Sequence, residues 1–129
     1  MQATGVNHIL LTISDTERSK AFYRDVLDCA VADIDDDHPE YGFYFTVGEV
    51  AFFVGPSRQP VAEDRFSEFR IGLDHVAFTV ADQATLDALA ARLLAAGVDT
   101  QGVEQFAPTG NYYIAFRDPD NIQLEFWLP

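Results

Sequence analysis

The sequence is short of positive charge and of long apolar runs. It has 8 Lys and Arg against 21 Asp and Glu, which gives a net charge of -13 at pH 7. A surface this acidic repels phosphate backbones and anionic lipids, so we expect neither nucleic acid nor a membrane as a partner. No apolar stretch approaches the roughly 18 residues that a transmembrane helix needs.

Cysteine and targeting signals are scarce as well. Cys29 is the one cysteine, so the chain cannot form an internal disulfide. The N-terminus lacks the basic start and the apolar core of a secretory signal. These absences together predict a cytoplasmic protein. An apolar fraction of 48% in 129 residues is enough for one globular domain spanning residues 1–129.

An internal repeat is the most informative feature that is present. Residues 5–15, GVNHILLTISD, return as residues 72–82, GLDHVAFTVAD, at a constant offset of 67 residues. Each copy ends in an aspartate suited to cap a following helix, and each predicted helix is followed by β-rich runs separated by turn residues. The predicted strands after the helices span 31–34, 43–47 and 50–54 in the first half, and 100–106, 112–116 and 122–128 in the second.

The repeat predicts an α+β fold made of two βαβββ modules. The modules span about 5–56 and 72–129, and residues 57–71 connect them. Four strands and one helix leave a sheet face uncovered, so neither module is expected to be stable alone. We expect the modules to pair into a curved, partly closed mixed sheet around a concave cleft, which is the natural place for a small ligand.

Three polar side chains hold distinctive positions on the predicted strands. The repeat puts His8 and His75 at equivalent points, and Glu125 interrupts the apolar run 122–128. A carboxylate in an apolar strand is costly unless a cation or hydrogen-bond donors compensate it. Two neutral imidazoles and one carboxylate on a shared face can bind a divalent metal and leave coordination positions open. For each residue taken singly, ordinary packing or solvent exposure is the alternative.

Several stretches carry a likeness to a known family. They are the strand starts Asn7-His8 and Asp74-His75, the helix segment FYRDVL at 22–27, and the ending FRDPDNIQLE at 116–125. On these stretches the chain resembles the vicinal oxygen chelate superfamily. That superfamily includes glyoxalase I, extradiol dioxygenases, fosfomycin-modifying enzymes and bleomycin-binding proteins. The resemblance covers nearly the whole chain, and its motifs are specific for the fold but not for the reaction.

The resemblance implies a divalent metal held by His8, His75 and Glu125, and a homodimer. Iron, manganese, nickel, cobalt and zinc all suit this ligand set. It also implies an enzyme in which the metal binds adjacent oxygens of a small organic substrate and stabilises an oxyanionic intermediate, with lyase, isomerase or dioxygenase chemistry. The alternative is a non-catalytic protein that binds a small molecule or antibiotic, as bleomycin-resistance proteins do.

The chain departs from each enzyme subfamily at one or more positions. Aligning residues 51–53 with 124–126 places Phe52 where glyoxalase I has a fourth ligand. Ala115 stands where extradiol dioxygenases keep a tyrosine, and Gln105 and Ala115 replace a lysine and a tyrosine of the fosfomycin-modifying transferases. The residues expected to line the pocket are Phe52, Tyr113, Gln123 and Trp127, with Arg70 or Arg117 as candidates for holding a substrate carboxylate.

Overall fold

The computed structural model describes all 129 residues, which divide into two compact units, residues 1–64 and residues 65–129. Each unit has the predicted βαβββ order, so the α+β fold is confirmed. The first unit contains β1 (His8–Ile13), α1 (Thr16–Ala21), β2 (Ala32–Asp33), β3 (Phe43–Val47) and β4 (Val50–Pro56). The second contains β5 (Val76–Thr79), α2 (Gln83–Ala95), β6 (Thr100–Gln105), β7 (Tyr112–Arg117) and β8 (Gln123–Leu128).

The strands form two four-stranded mixed sheets of the same design. Their orders are β1-β4-β3-β2 and β5-β8-β7-β6. The first strand of each unit pairs in parallel with the last, and the other pairs are antiparallel. The strand predicted at 31–34 is shorter than expected, because only Ala32 and Asp33 pair with β3. Neither helix has the length and apolar character needed to cross a bilayer.

The predicted helix caps are confirmed in both units. The Asp15 side chain accepts a hydrogen bond from the Arg18 backbone N–H at 3.0 Å, and the Asp82 side chain accepts one from Thr85 at 2.8 Å. Each satisfies an amide that a helix N-terminus otherwise leaves unpaired. Gly97, at φ +68, follows the C-terminal end of α2, where a left-handed residue commonly ends a helix.

The first helix continues into the predicted helix segment 22–27, but as a π-helical turn that the sequence did not predict. After Ala21 it continues as a π-helical turn, Phe22–Val26, in which the Leu27 N–H donates to the Phe22 carbonyl at 3.2 Å. The wider turn keeps both Phe22 and Tyr23 buried. Tyr23 is fully buried, stacks on Phe45 at 5.5 Å and contacts Phe43 at 5.7 Å.

One face of each sheet is covered by the helix of its own unit. In the first sheet this face carries alternate residues of β1, β3 and β4. In the second sheet this face carries alternate residues of β5, β7 and β8. It is covered by α2, whose Leu86, Leu89 and Leu93 are at most 2% exposed. The opposite face of each sheet carries the predicted site residues His8, His75 and Glu125, because side chains alternate along a strand.

The chain just after the unit boundary is docked on the turn between β7 and β8. The Phe66 N–H donates to the Asp120 carbonyl at 3.0 Å, and the Asn121 side-chain amide donates to the Phe66 carbonyl at 2.9 Å. Arg117 also donates two hydrogen bonds to the Glu68 carboxylate, at 2.6 and 3.1 Å. Part of the predicted connector therefore belongs structurally to the second unit.

Ser19, on the buried side of α1, offers a test of the first core. It is 0% exposed and its hydroxyl has no hydrogen-bond partner. Because a buried unpaired hydroxyl carries an uncompensated desolvation cost, we expect Ser19→Ala to raise the free energy of unfolding by about 1 kcal/mol. Urea denaturation followed by circular dichroism measures this. Glu17→Ala, on the exposed side of the same helix, should change it by less than about 0.5 kcal/mol. A less stable Ser19→Ala protein would contradict the expectation.

Candidate functional site

The second unit brings His75 and Glu125 together. The Nε2 atom of His75 lies 3.6 Å from Oε2 of Glu125. Glu125 is 8% exposed, and its carboxylate accepts hydrogen bonds from the Gln123 side-chain amide at 3.1 Å and from the Trp127 indole N–H at 2.6 Å. These two donors provide part of the compensation that a carboxylate in an apolar strand requires. They also fix the direction in which it points.

His8 and His75 each have one ring nitrogen within hydrogen-bond distance of the residue before them. Nδ1 of His8 lies 2.8 Å from Oδ1 of Asn7, and Nδ1 of His75 lies 2.6 Å from Oδ1 of Asp74. An oxygen acceptor at Nδ1 places the proton there and leaves the Nε2 lone pair available for a ligand bond. Asn7 and Asp74 carried no predicted role, although a polar residue precedes the histidine in both copies of the repeat.

The His75–Glu125 pair fits a divalent metal ion. His75 Nε2 and Glu125 Oε2, 3.6 Å apart, are close enough for one ion to bind both, since each such bond is about 2.1 Å long. The donors, a neutral imidazole nitrogen and a carboxylate oxygen, are those that such ions prefer. Neither unit by itself holds three His, Cys, Asp or Glu side chains placed to bind one metal.

His8 has the matching position in the first unit. It begins β1, is exposed, and its ring lies nearly perpendicular to the Phe53 ring, with centroids 5.7 Å apart. Its Nε2 atom is left available by the bond from Nδ1 to Asn7. The structure thus gives His8 and His75 the same contact at Nδ1, each within its own unit.

Phe52 does not lie on the face that carries His8. It is 4% exposed and stacks on Phe45 at 5.2 Å in the helix-covered core, so its prediction as a pocket residue is wrong. Strand register explains the error. Leu10 pairs with Phe53 in the first unit, whereas Ala77 pairs with Glu125 in the second. The first-unit counterpart of Glu125 is therefore Phe53, and the alignment that chose Phe52 was shifted by one residue.

An aromatic cluster stands beside Glu125 on the same sheet face. Tyr113 stacks on Trp127 with centroids 4.6 Å apart and planes 13° apart, and Phe106 meets Trp127 edge-on at 5.5 Å. Burial, with lesser contributions from the nearby carboxylates Glu104 and Glu125, raises the pKa of the Tyr113 hydroxyl. The structure thus brings the predicted Tyr113, Gln123 and Trp127 together with Glu125. Phe106 joins them, and its position in a loop after β6 gave no sequence signal.

The two candidate arginines differ in their surroundings. Arg117 lies on β7 opposite Gln123, and its guanidinium forms a two-pronged ion pair with Glu68. Hydrogen bonds from this guanidinium lower the pKa of the Glu68 carboxyl. Arg70 is exposed and lies before β5, outside the sheet. Arg117 is therefore already engaged by a carboxylate of the chain itself.

Comparisons with known proteins agree with this architecture. The model of the Glyoxalase/Bleomycin resistance protein/Dioxygenase superfamily matches residues 5–126. The chain is 32% identical over 122 residues to the metallothiol transferase FosB of Shouchella clausii, covering 94% of this chain and 77% of that one. It is 30% identical to the uncharacterized protein YwkD of Bacillus subtilis, covering 98% of both. A solved glyoxylase/bleomycin resistance protein/dioxygenase domain from Frankia sp. EAN1pec is 28% identical, with a TM-score of 0.77 and 98% of both chains covered.

Proposed function

Because this chain belongs to the Glyoxalase/Bleomycin resistance protein/Dioxygenase superfamily, we propose that it is a metal-dependent enzyme acting on a small organic substrate. The proposed ligands are His8, His75 and Glu125. The observation that carries the proposal is the His75–Glu125 pair, whose facing atoms lie 3.6 Å apart. The name of the metallothiol transferase relative points in the same direction.

Each proposed ligand has a neighbouring side chain that fixes its tautomer or its orientation. Asn7 and Asp74 keep the two imidazoles in the tautomer that offers Nε2. Gln123 and Trp127 orient the Glu125 carboxylate. A divalent ion bound here, one of iron, manganese, nickel, cobalt or zinc, would act as a Lewis acid toward two neighbouring oxygens of the substrate.

Other side chains restrict the range of reactions that we propose for this site. Phe53 occupies the counterpart of Glu125, so the first unit supplies no carboxylate at that point. A glyoxalase I mechanism that uses such a ligand to move a proton is therefore not the reaction we propose. Burial raises the pKa of the Tyr113 hydroxyl above its ordinary value, and the protonated hydroxyl beside Glu125 is available to donate a hydrogen bond. Lyase, isomerase and dioxygenase chemistry remain the proposed range.

In the proposed ligand set, His8 is contributed by the first unit of this chain or of a second copy. We propose a homodimer, in which either arrangement completes the set of three ligands. The second candidate function is a binding protein without turnover, favoured by the stacked Tyr113 and Trp127 rings beside Glu125. A requirement for metal distinguishes the two functions.

Metal content tests the proposal directly. We expect protein purified without chelator to carry about one transition metal ion per binding site, and His8→Ala to lose most of it, because two protein ligands hold such an ion far more weakly than three. Elemental analysis measures this. His38→Ala is the matched control, since His38 is the one remaining histidine and stacks on Tyr41 in a loop of the first unit. Full metal content in His8→Ala would refute the ligand set, whereas a wild type that cannot be loaded would favour the binding protein.

A further inference from the structure

Residues 68–74 form a loop with a carboxylate at each end. At one end, the Glu68 carboxylate accepts two hydrogen bonds from the Arg117 guanidinium, at 2.6 and 3.1 Å. At the other end, Asp74 stands directly before His75. Hydrogen bonding to Glu68 raises the pKa of Arg117 above its ordinary value, and the charge of Asp74 adds to that rise. Arg117 therefore lies within electrostatic reach of both ends of the loop.

Arg117 is fixed in place, whereas the middle of the loop is exposed. The Arg117 backbone belongs to β7, and its guanidinium also donates to the Asn121 carbonyl at 3.3 Å. A two-pronged guanidinium–carboxylate pair has a defined geometry, because the planar fork matches the carboxylate. In the loop, by contrast, Phe69 is 91% exposed and Ile71 is fully exposed. Burial of these side chains therefore does not fix the loop, and its ends have to do so.

The Asp74 end of the loop determines the form of His75. Oδ1 of Asp74 lies 2.6 Å from Nδ1 of His75, while Nε2 of the same ring lies 3.6 Å from Oε2 of Glu125. The imidazole therefore has a carboxylate on each side. In the first unit the residue at this position is the uncharged Asn7. Because like charges repel, the second unit needs a cation near Asp74 that the first unit does not need.

We propose that Arg117 is a positioning residue that joins Glu68 and Asp74 at the base of loop 68–74, and that this clip holds Asp74 at Nδ1 of His75. Without the guanidinium, the two carboxylates would repel each other and Asp74 would move away from the imidazole. His75 would then lose its fixed tautomer. The effect on the tautomer does not depend on a metal, whereas its consequence for metal binding rests on the proposed function.

Nitrogen-15 NMR of the histidine rings tests the proposal in the full-length, chelator-treated protein. At pH 8, above the ordinary histidine pKa of about 6.5, the imidazoles are neutral and the ring shifts report which nitrogen carries the proton. The signals of His75 are identified by their loss in His75→Gln. We expect the proton on Nδ1 in the wild type. In Arg117→Gln, the ratio of the Nδ1–H to the Nε2–H tautomer should fall about threefold or more, the weight of one hydrogen bond. A wild-type ratio in Arg117→Gln would overturn the proposal.

Two control variants separate the clip from more general effects. Arg65→Gln removes one positive charge from an exposed position shortly before the loop. Asn121→Gly removes the side-chain bond to the Phe66 carbonyl, and glycine readily adopts the φ of +71 found there. Both variants should keep the wild-type tautomer of His75. If Asn121→Gly changed the tautomer as much as Arg117→Gln does, loosening of the docked segment would explain the effect and the proposal would be wrong.

A more conservative variant and a metal titration complete the test. Arg117→Lys keeps the charge but loses the planar fork, so the tautomer ratio should fall less than in Arg117→Gln. If Arg117→Gln does not fold, a wild-type ratio in Arg117→Lys overturns the proposal. Arg117→Gln should also bind Zn²⁺ about tenfold more weakly, the usual cost of disturbing a residue that orients a ligand. An altered tautomer with unchanged Zn²⁺ affinity, or a wild type that binds no Zn²⁺, would support the clip and refute His75 as a metal ligand.

Discussion

Glu125→Gln is expected to abolish the stabilisation that metal gives to this protein. Binding to the folded state alone adds RT ln(1 + [M]/Kd), about 4 kcal/mol when the metal is at 1,000 times its Kd. That corresponds to a rise in Tm of about 10 °C or more for a chain of this size. The amide keeps the shape of the carboxylate but loses its charge, so the metal-loaded variant should melt close to the metal-free one.

The metal-free proteins provide the second half of this test. Removing a buried negative charge from a chain of net charge -13 relieves repulsion, whereas the amide can keep only one of the two acceptor bonds to Gln123 and Trp127. These effects oppose each other, so the metal-free Tm should change little. Glu104→Gln, an exposed change on the same sheet, is the matched control and should keep the full metal response. Calorimetry with and without chelator measures all three proteins. A metal response retained by Glu125→Gln would exclude Glu125 as a ligand.

Gly42→Ala is expected to have the largest effect on folding. Gly42 joins a single 3-10 turn, Pro39–Tyr41, to β3, and it has φ +122 and ψ -171. Residues other than glycine rarely adopt this region. A Cβ atom there would stand 2.2 Å from the Val54 carbonyl oxygen and 2.9 Å from the Gly55 Cα atom. Both neighbours are backbone of β4, which cannot move without disturbing the sheet. We expect a loss of about 4 kcal/mol or more in the free energy of unfolding.

Gly48→Ala separates the steric clash from the backbone preference. Gly48 has φ +57 in the turn between β3 and β4, but a Cβ atom added there would meet no atom within 4 Å. We expect it to cost about 1 kcal/mol, the usual penalty for a left-handed residue with a side chain. Urea denaturation followed by circular dichroism compares the two variants. Equal losses for both would show that the contact with β4 contributes nothing.

The sequence by itself determined the βαβββ repeat, the two helix caps and the equivalence of His8 and His75. These features depend on interactions within one segment, such as alternation along a strand and the bond from Asp82 to the amide of Thr85. Glu125 was also recognisable, because a carboxylate inside an apolar run has a cost that needs an explanation.

Only the tertiary structure decided what depends on register and on contacts between distant segments. Because Leu10 pairs with Phe53, the first-unit counterpart of Glu125 is Phe53 and not the predicted Phe52. A shift of one residue along a strand places the side chain on the opposite face of the sheet. Trp127 stacks on Tyr113 of the neighbouring strand, and Glu68 engaged Arg117 from 49 positions away. A local pattern fixes which residues face together along one strand. The neighbours of each residue across strands are fixed by hydrogen bonding between them, which no single segment encodes.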